Sequence, residues 1–87
     1  MMAKVTVHYW AAAKNAAGIG EENVEASTLA DLVEQIERRH ADRPRFSDVI
    51  DMCSVLIGET PVGDRDHSTV TLAEGDTIEF LPPFAGG

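Results

Sequence analysis

The residues best placed to do chemistry are the last six, Pro82-Pro83-Phe84-Ala85-Gly86-Gly87. Their reactive group is the carboxylate at Gly87, not a side chain. A carboxylate is inert until activated. As an acyl-adenylate it becomes an electrophile, and sulfide can then displace AMP to leave a thiocarboxylate. Glycine suits such a tip because a side chain would obstruct both the activating site and the receiving one. Two prolines supply no amide hydrogen and hold φ near the polyproline value, so they stop the preceding strand and push the chain out as a stiff arm. Six extended residues reach roughly 20 Å, enough to thread a narrow tunnel in another protein. Phe84 is a bulky apolar residue on that arm with no core left to enter. Chain ends are often merely frayed, but a strand, two prolines and an aromatic directly before Gly86-Gly87 argue against a frayed end here.

The rest of the chain offers no competing chemistry. It has no nucleophile–base pair, no phosphate-binding loop and no metal-ligand spacing. Cys53 stands alone in an apolar run and reads as a buried core thiol. The run Asp64-Arg65-Asp66-His67 invites a metal reading, but it sits in a polar segment with Pro61 and Gly63 and reads as a solvated loop.

The arm needs a platform, and the pattern of the chain supplies one. Lys4 to Trp10 alternates, with Val5, Val7 and Tyr9 on one face of a first strand. Trp10 falls on the wet face, where it is either a ring lying flat over small neighbours or an interface anchor. Ala11 to Gly20 is a short helical turn or a compact loop, and Glu22 to Ala26 a second strand. Thr28 followed by Asp31 marks a helix start. Leu29, Leu32, Val33 and Ile36 then recur at helical spacing, so a helix is expected from Leu29 to His40. Phe46, Val49 and Ile50 fit one further turn. Cys53 to Ile57 is a third strand, Thr69 to Leu72 a short edge strand, and Glu74-Gly75-Asp76 a turn before the last strand, Thr77 to Leu81. One amphipathic helix covers one face of a mixed four- to five-stranded sheet, which makes a two-layer α+β fold. If the first and last strands are central neighbours, Trp10, Leu81 and Phe84 share the open face.

Eighty-seven residues make one domain, here residues 1–81, with 82–87 as its tail. A chain this short buries only about 60–65% of its unfolded surface and has little room for a deep pocket. A net charge of −8 makes nucleic acid and anionic membrane poor partners and a basic protein face a good one. The start, Met1 to Val5, runs straight into alternating residues, so no signal peptide is expected. No apolar run approaches a membrane span. With a single cysteine, these features point to the cytoplasm.

The order of elements and the ending Gly75-Asp76-x-Ile78-x-Phe80-Leu81-Pro82-Pro83-Phe84-Ala85-Gly86-Gly87 resemble the ubiquitin-like MoaD/ThiS sulfur carriers. The opening Lys4-Val5-x-Val7-x-Tyr9-Trp10-Ala11, with Gly18 after it, is similar to that family's first strand and loop. The resemblance spans nearly the whole chain and implies a β-grasp fold. It implies that an E1-like enzyme, consuming ATP, adenylates Gly87 and that the residue becomes a thiocarboxylate, with Gly86 as its thin neighbour. The branch most resembled is the small subunit of molybdopterin synthase. Its tail enters the large subunit, in a heterotetramer, and donates sulfur to cyclic pyranopterin monophosphate. Leu81, Trp10, Pro82, Pro83 and Phe84 would then form the docking surface, with no bound cofactor and no metal. Alternatives within the family are a sister carrier for thiazole or cysteine synthesis, or a ubiquitin-like protein modifier. Outside it stands a plain binding module with an idle tail. Pro82-Pro83 argues against the thiazole branch, whose tails look more continuously β-branched.

Overall fold

A computed structural model describes residues 2–83. Strand β1 (Ala3–Tyr9) buries Ala3, Val5, Val7 and Tyr9 and leaves Lys4, Thr6 and His8 on the other face, as its alternation requires. Helix α1 (Ala11–Ala17) follows at once. Ala11 makes the corner with φ 48°, the one positive φ outside glycine among the described residues. The helix seats Ala13 and Ala17 in the core and ends at Gly18, which takes the left-handed conformation at φ 79°. The left-handed φ favours glycine at Gly18, and a side chain there would also make the end of the Arg43 side chain shift, since its guanidinium lies 2.6 Å from where a Cβ would stand.

Strand β2 (Glu21–Ala26) returns antiparallel to β1, with Val24 opposite Val5. Helix α2 (Leu29–Arg39) starts on a reciprocal cap. The Thr28 hydroxyl accepts from the Asp31 amide at 3.2 Å, and the Asp31 carboxylate accepts from the Ser27 amide at 3.3 Å. Leu29, Leu32 and Ile36 are wholly buried against the sheet, and Val33 packs partly buried beside them. The expected helix and its buried face are thus found, one residue shorter than read. Helix α3 (Phe46–Met52) extends the single turn expected around Phe46 and packs on α1.

Strands β3 (Ser54–Ile57), β4 (Thr60–Pro61) and β5 (Thr77–Leu81) complete a five-stranded sheet in the order β2-β1-β5-β3-β4. Its centre is the parallel pair β1 and β5, and the other pairs are antiparallel. This mixed sheet with α2 across one face is the expected β-grasp.

Two local readings are corrected. Thr69 to Leu72 is not an edge strand: a 3-10 turn at His67–Thr69 precedes a single bridge from Thr71 to Thr28. The backbone of Val70 and Leu72 bonds to Leu29 and Ser27 instead of the sheet, because both side chains are drawn into the core beneath the start of α2. The edge is supplied by β4. Cys53 does not open β3 but caps the end of α3, where its thiol bonds to the Val49 carbonyl at 3.2 Å.

Candidate functional site

Strand β5 carries the expected tail, and its place at the centre of the sheet decides where the tail starts. Ile78 and Phe80 point into the core, while Thr77, Glu79 and Leu81 face the side that no helix covers. The strand ends at Leu81. Pro82 after it is half-buried and Pro83 exposed. Phe84, Gly86 and Gly87, which the sequence singles out, lie outside the described residues.

Trp10 stands beside this exit. Its amide bonds to the Phe80 carbonyl at 3.2 Å, extending the β1–β5 pairing by one residue. Its indole N–H donates to Glu79 Oε1 at 3.0 Å, which lays the ring on the open face, two residues along β5 from Leu81. The ring is 49% exposed, far more than its polar atom requires. Leu56 flanks Glu79 from β3, and Ser54 stands opposite Leu81. The result is a small apolar surface of Trp10, Leu81 and Leu56, with Glu79, His8 and Glu21 around it. Its depression, an open hollow of about 480 Å³ beside Trp10, His8 and Glu21, is wide and shallow enough to hold a partner's surface better than a small molecule.

Among the described residues, this face pairs no nucleophile with a base. Burial pushes the Cys53 thiol up to about 11, so it is not a competing nucleophile at neutral pH. Among the described residues no group of three or more His, Cys, Asp or Glu is placed to hold a metal ion. No helix among them is long and apolar enough to cross a membrane.

A cluster of polar residues that the sequence reading passed over lies on the covered face. Glu22 faces inward beside Val7, its side chain only 12% exposed. Its Oε2 accepts from the Tyr9 hydroxyl at 2.5 Å and contacts His40 Nε2 at 2.7 Å, and its Oε1 accepts from Arg39 at 2.9 Å. Burial pushes this carboxyl up, but the bonds from Tyr9, His40 and Arg39 outweigh it and hold Glu22 below the usual carboxylate range. Burial, then the bond to Glu22, drives the Tyr9 hydroxyl well above its ordinary value, so it stays a donor. Parity alone was the available signal: Glu22 shares the inward face with Val24 and Ala26. The cluster ties the end of α2 to β1 and β2, and Tyr9 stacks on Phe80 at 6.1 Å, bracing β5 from behind.

The family model described as ThiS family matches residues 7–87. A curated relative, the molybdopterin synthase sulfur carrier subunit of Chlamydomonas reinhardtii, is 29% identical over 97% of this chain and 99% of its own. Among solved structures, a putative molybdopterin converting factor, subunit 1, from Pyrococcus furiosus is 26% identical with a TM-score of 0.75, covering 93% of this chain and 98% of that one. Small archaeal modifier protein 1 from Methanosarcina acetivorans superposes with a TM-score of 0.81 at 23% identity, over 100% of this chain and 99% of its own, a likeness of fold. With a central β5, an uncovered sheet face and a match that runs to the final glycine, the chain belongs to the ThiS family, as a ThiS/MoaD domain of ubiquitin-like fold.

Proposed function

We propose that this chain is the sulfur-carrier small subunit of a molybdopterin synthase. The observation that carries the reading is the family match extending through Pro82-Pro83-Phe84-Ala85-Gly86-Gly87 to residue 87, on a tail that follows directly from the central strand. The relative and the Pyrococcus structure bear names of the molybdopterin branch, which supports it over the thiazole branch. An E1-like enzyme transfers AMP from ATP to the Gly87 carboxylate and releases pyrophosphate. A sulfide equivalent attacks the acyl carbon, AMP leaves, and one carboxylate oxygen has been exchanged for sulfur. The thiocarboxylate then enters the large subunit, and its sulfur passes to cyclic pyranopterin monophosphate. The large subunit supplies the catalytic groups, and the carrier binds no cofactor of its own. Trp10, Leu81 and Phe84 bury against that subunit, with Pro82 and Pro83 directing the tail into it. Two carriers sit at the ends of a heterotetramer in the cytoplasm.

Intact-protein mass spectrometry tests the chemistry. Incubation with an E1-like enzyme, ATP and a sulfur source is expected to exchange one oxygen for sulfur, and fragmentation to place the change on Gly87. Removing Gly87, or adding one residue after it, is expected to abolish sulfur transfer while the fold persists. A deletion that still supports molybdopterin formation overturns the reading. So does a mass change that maps to Cys53, or an isopeptide adduct in place of the sulfur exchange, the outcome for a protein modifier.

A further inference from the structure

We propose that the outer edge of β2 is a strand-addition site for an extended, basic segment of a partner protein, an interaction separate from the tail and independent of the sulfur chemistry. The sheet order leaves two edges, β2 and β4. Strand β4 is two residues long and one of them is Pro61, so it cannot template another strand. Strand β2 runs for six residues.

Its backbone is set up for pairing. The bond from the Tyr9 amide to the Gly20 carbonyl, 2.8 Å, continues the β1–β2 register and fixes its parity. Glu22, Val24 and Ala26 turn their backbone groups toward β1, and Glu21, Asn23 and Glu25 turn theirs outward. The outward carbonyls of Asn23 and Glu25 are held by side chains from α2, Arg39 at 2.9 Å and Gln35 at 2.7 Å. The outward amides of Asn23 and Glu25 bond to nothing among the described residues. Donors and acceptors therefore repeat every second residue, the spacing of an added strand. A groove of about 740 Å³ spans β1 and β2 and reaches this edge, lined by Lys4 and Thr6 of β1, Asn23 and Glu25 of β2, and Gln35 and Arg39 of α2. Both covering groups end long side chains one helical turn apart, so an incoming strand can displace them without moving the helix.

Charge selects the occupant. Glu21 and Glu25 stand on the open face of β2, 66% and 58% exposed, and their cross-strand partners His8 and Lys4 are only at 3.8 and 4.0 Å. An added strand places alternate side chains directly beside them, which favours Lys or Arg at those positions. A second copy of this chain would set glutamates against glutamates in a molecule of net charge −8.

The test uses the isotope-labelled full chain and a short, capped, alternating Lys-Val peptide, with an alternating Glu-Val peptide as its counterpart. The basic peptide is expected to shift the Asn23 and Glu25 amides and slow their hydrogen exchange, and the acidic one to leave them unchanged. Glu25→Pro removes an outward amide but no bond to β1, and should weaken binding about tenfold. Methylating alternate amides of the Lys-Val peptide, on its pairing edge, should weaken it as much, a measurement that needs no folded variant. Equal binding by the methylated peptide or by folded Glu25→Pro overturns the proposal. So does a response confined to the open face, or slowed exchange at Asn23 and Glu25 that depends on protein concentration without peptide, which would make the occupant a second copy.

Discussion

Tyr9→Phe removes one oxygen from the Glu22 cluster and leaves the packing alone. The ring keeps its stacking on Phe80 at 6.1 Å and its edge contacts with Phe46 at 5.8 Å and His40 at 6.1 Å. What goes is a hydrogen bond to a carboxylate whose side chain is 12% exposed. Such bonds to charged groups contribute about 1.5–3 kcal/mol, and Glu22 retains His40 and Arg39, so about 2 kcal/mol is expected. For a domain of this size that lowers Tm by about 8–16 °C. The sign of the pH dependence follows from the lowered Glu22 value. A depressed carboxyl contributes stability that is fully present above its unfolded value, about 4.3, and is lost as pH falls through the folded value. Losing the Tyr9 donor moves Glu22 back toward its ordinary range. The difference between variant and wild type should therefore be largest at neutral pH and narrow below about pH 4, where a protonated Glu22 leaves only a neutral hydrogen bond to lose. Urea unfolding at a series of pH values, followed by Trp10 fluorescence, measures both terms. A variant within about 0.5 kcal/mol of wild type at pH 7, inside the range of ordinary surface changes, would refute the reasoning. Stability curves that stay parallel well below pH 4 would refute the electrostatic part.

Ile36→Ala empties a wholly buried site between α2 and the sheet and should cost about 2–5 kcal/mol in the same unfolding assay. Trp10→Ala and Phe84→Ala should each weaken binding to the large synthase subunit by about 2 kcal/mol or more in titration calorimetry, with little loss of fold. Unchanged affinity for both would remove the proposed docking surface. Cys53→Ser should leave sulfur incorporation at Gly87 intact by mass spectrometry, since burial holds that thiol protonated.

The sequence by itself determined the periodic parts of this molecule. Alternation in Val5, Val7, Tyr9 and in Ile78, Phe80 fixed which face of each strand is buried, because a strand's side chains have only two directions. Leu29, Leu32 and Ile36 at helical spacing, after Thr28 and Asp31, fixed α2, because the cap and the apolar stripe are local signals. The ending of the chain carried the family resemblance, since prolines and glycines act through their own backbone limits. What depended on distant pairing was decided by the tertiary structure. Val70 and Leu72 alternate like a strand, yet bond to the start of α2, a choice that only the assembled core makes. Glu22 looks like any surface glutamate until β1, β2 and the end of α2 bring Tyr9, His40 and Arg39 around it from up to 18 residues away. The open amides of Asn23 and Glu25 exist only because the sheet order leaves β2 without a neighbour on its outer side. Local propensity is written residue by residue, but satisfying a buried charge or an edge amide takes partners that the fold alone selects.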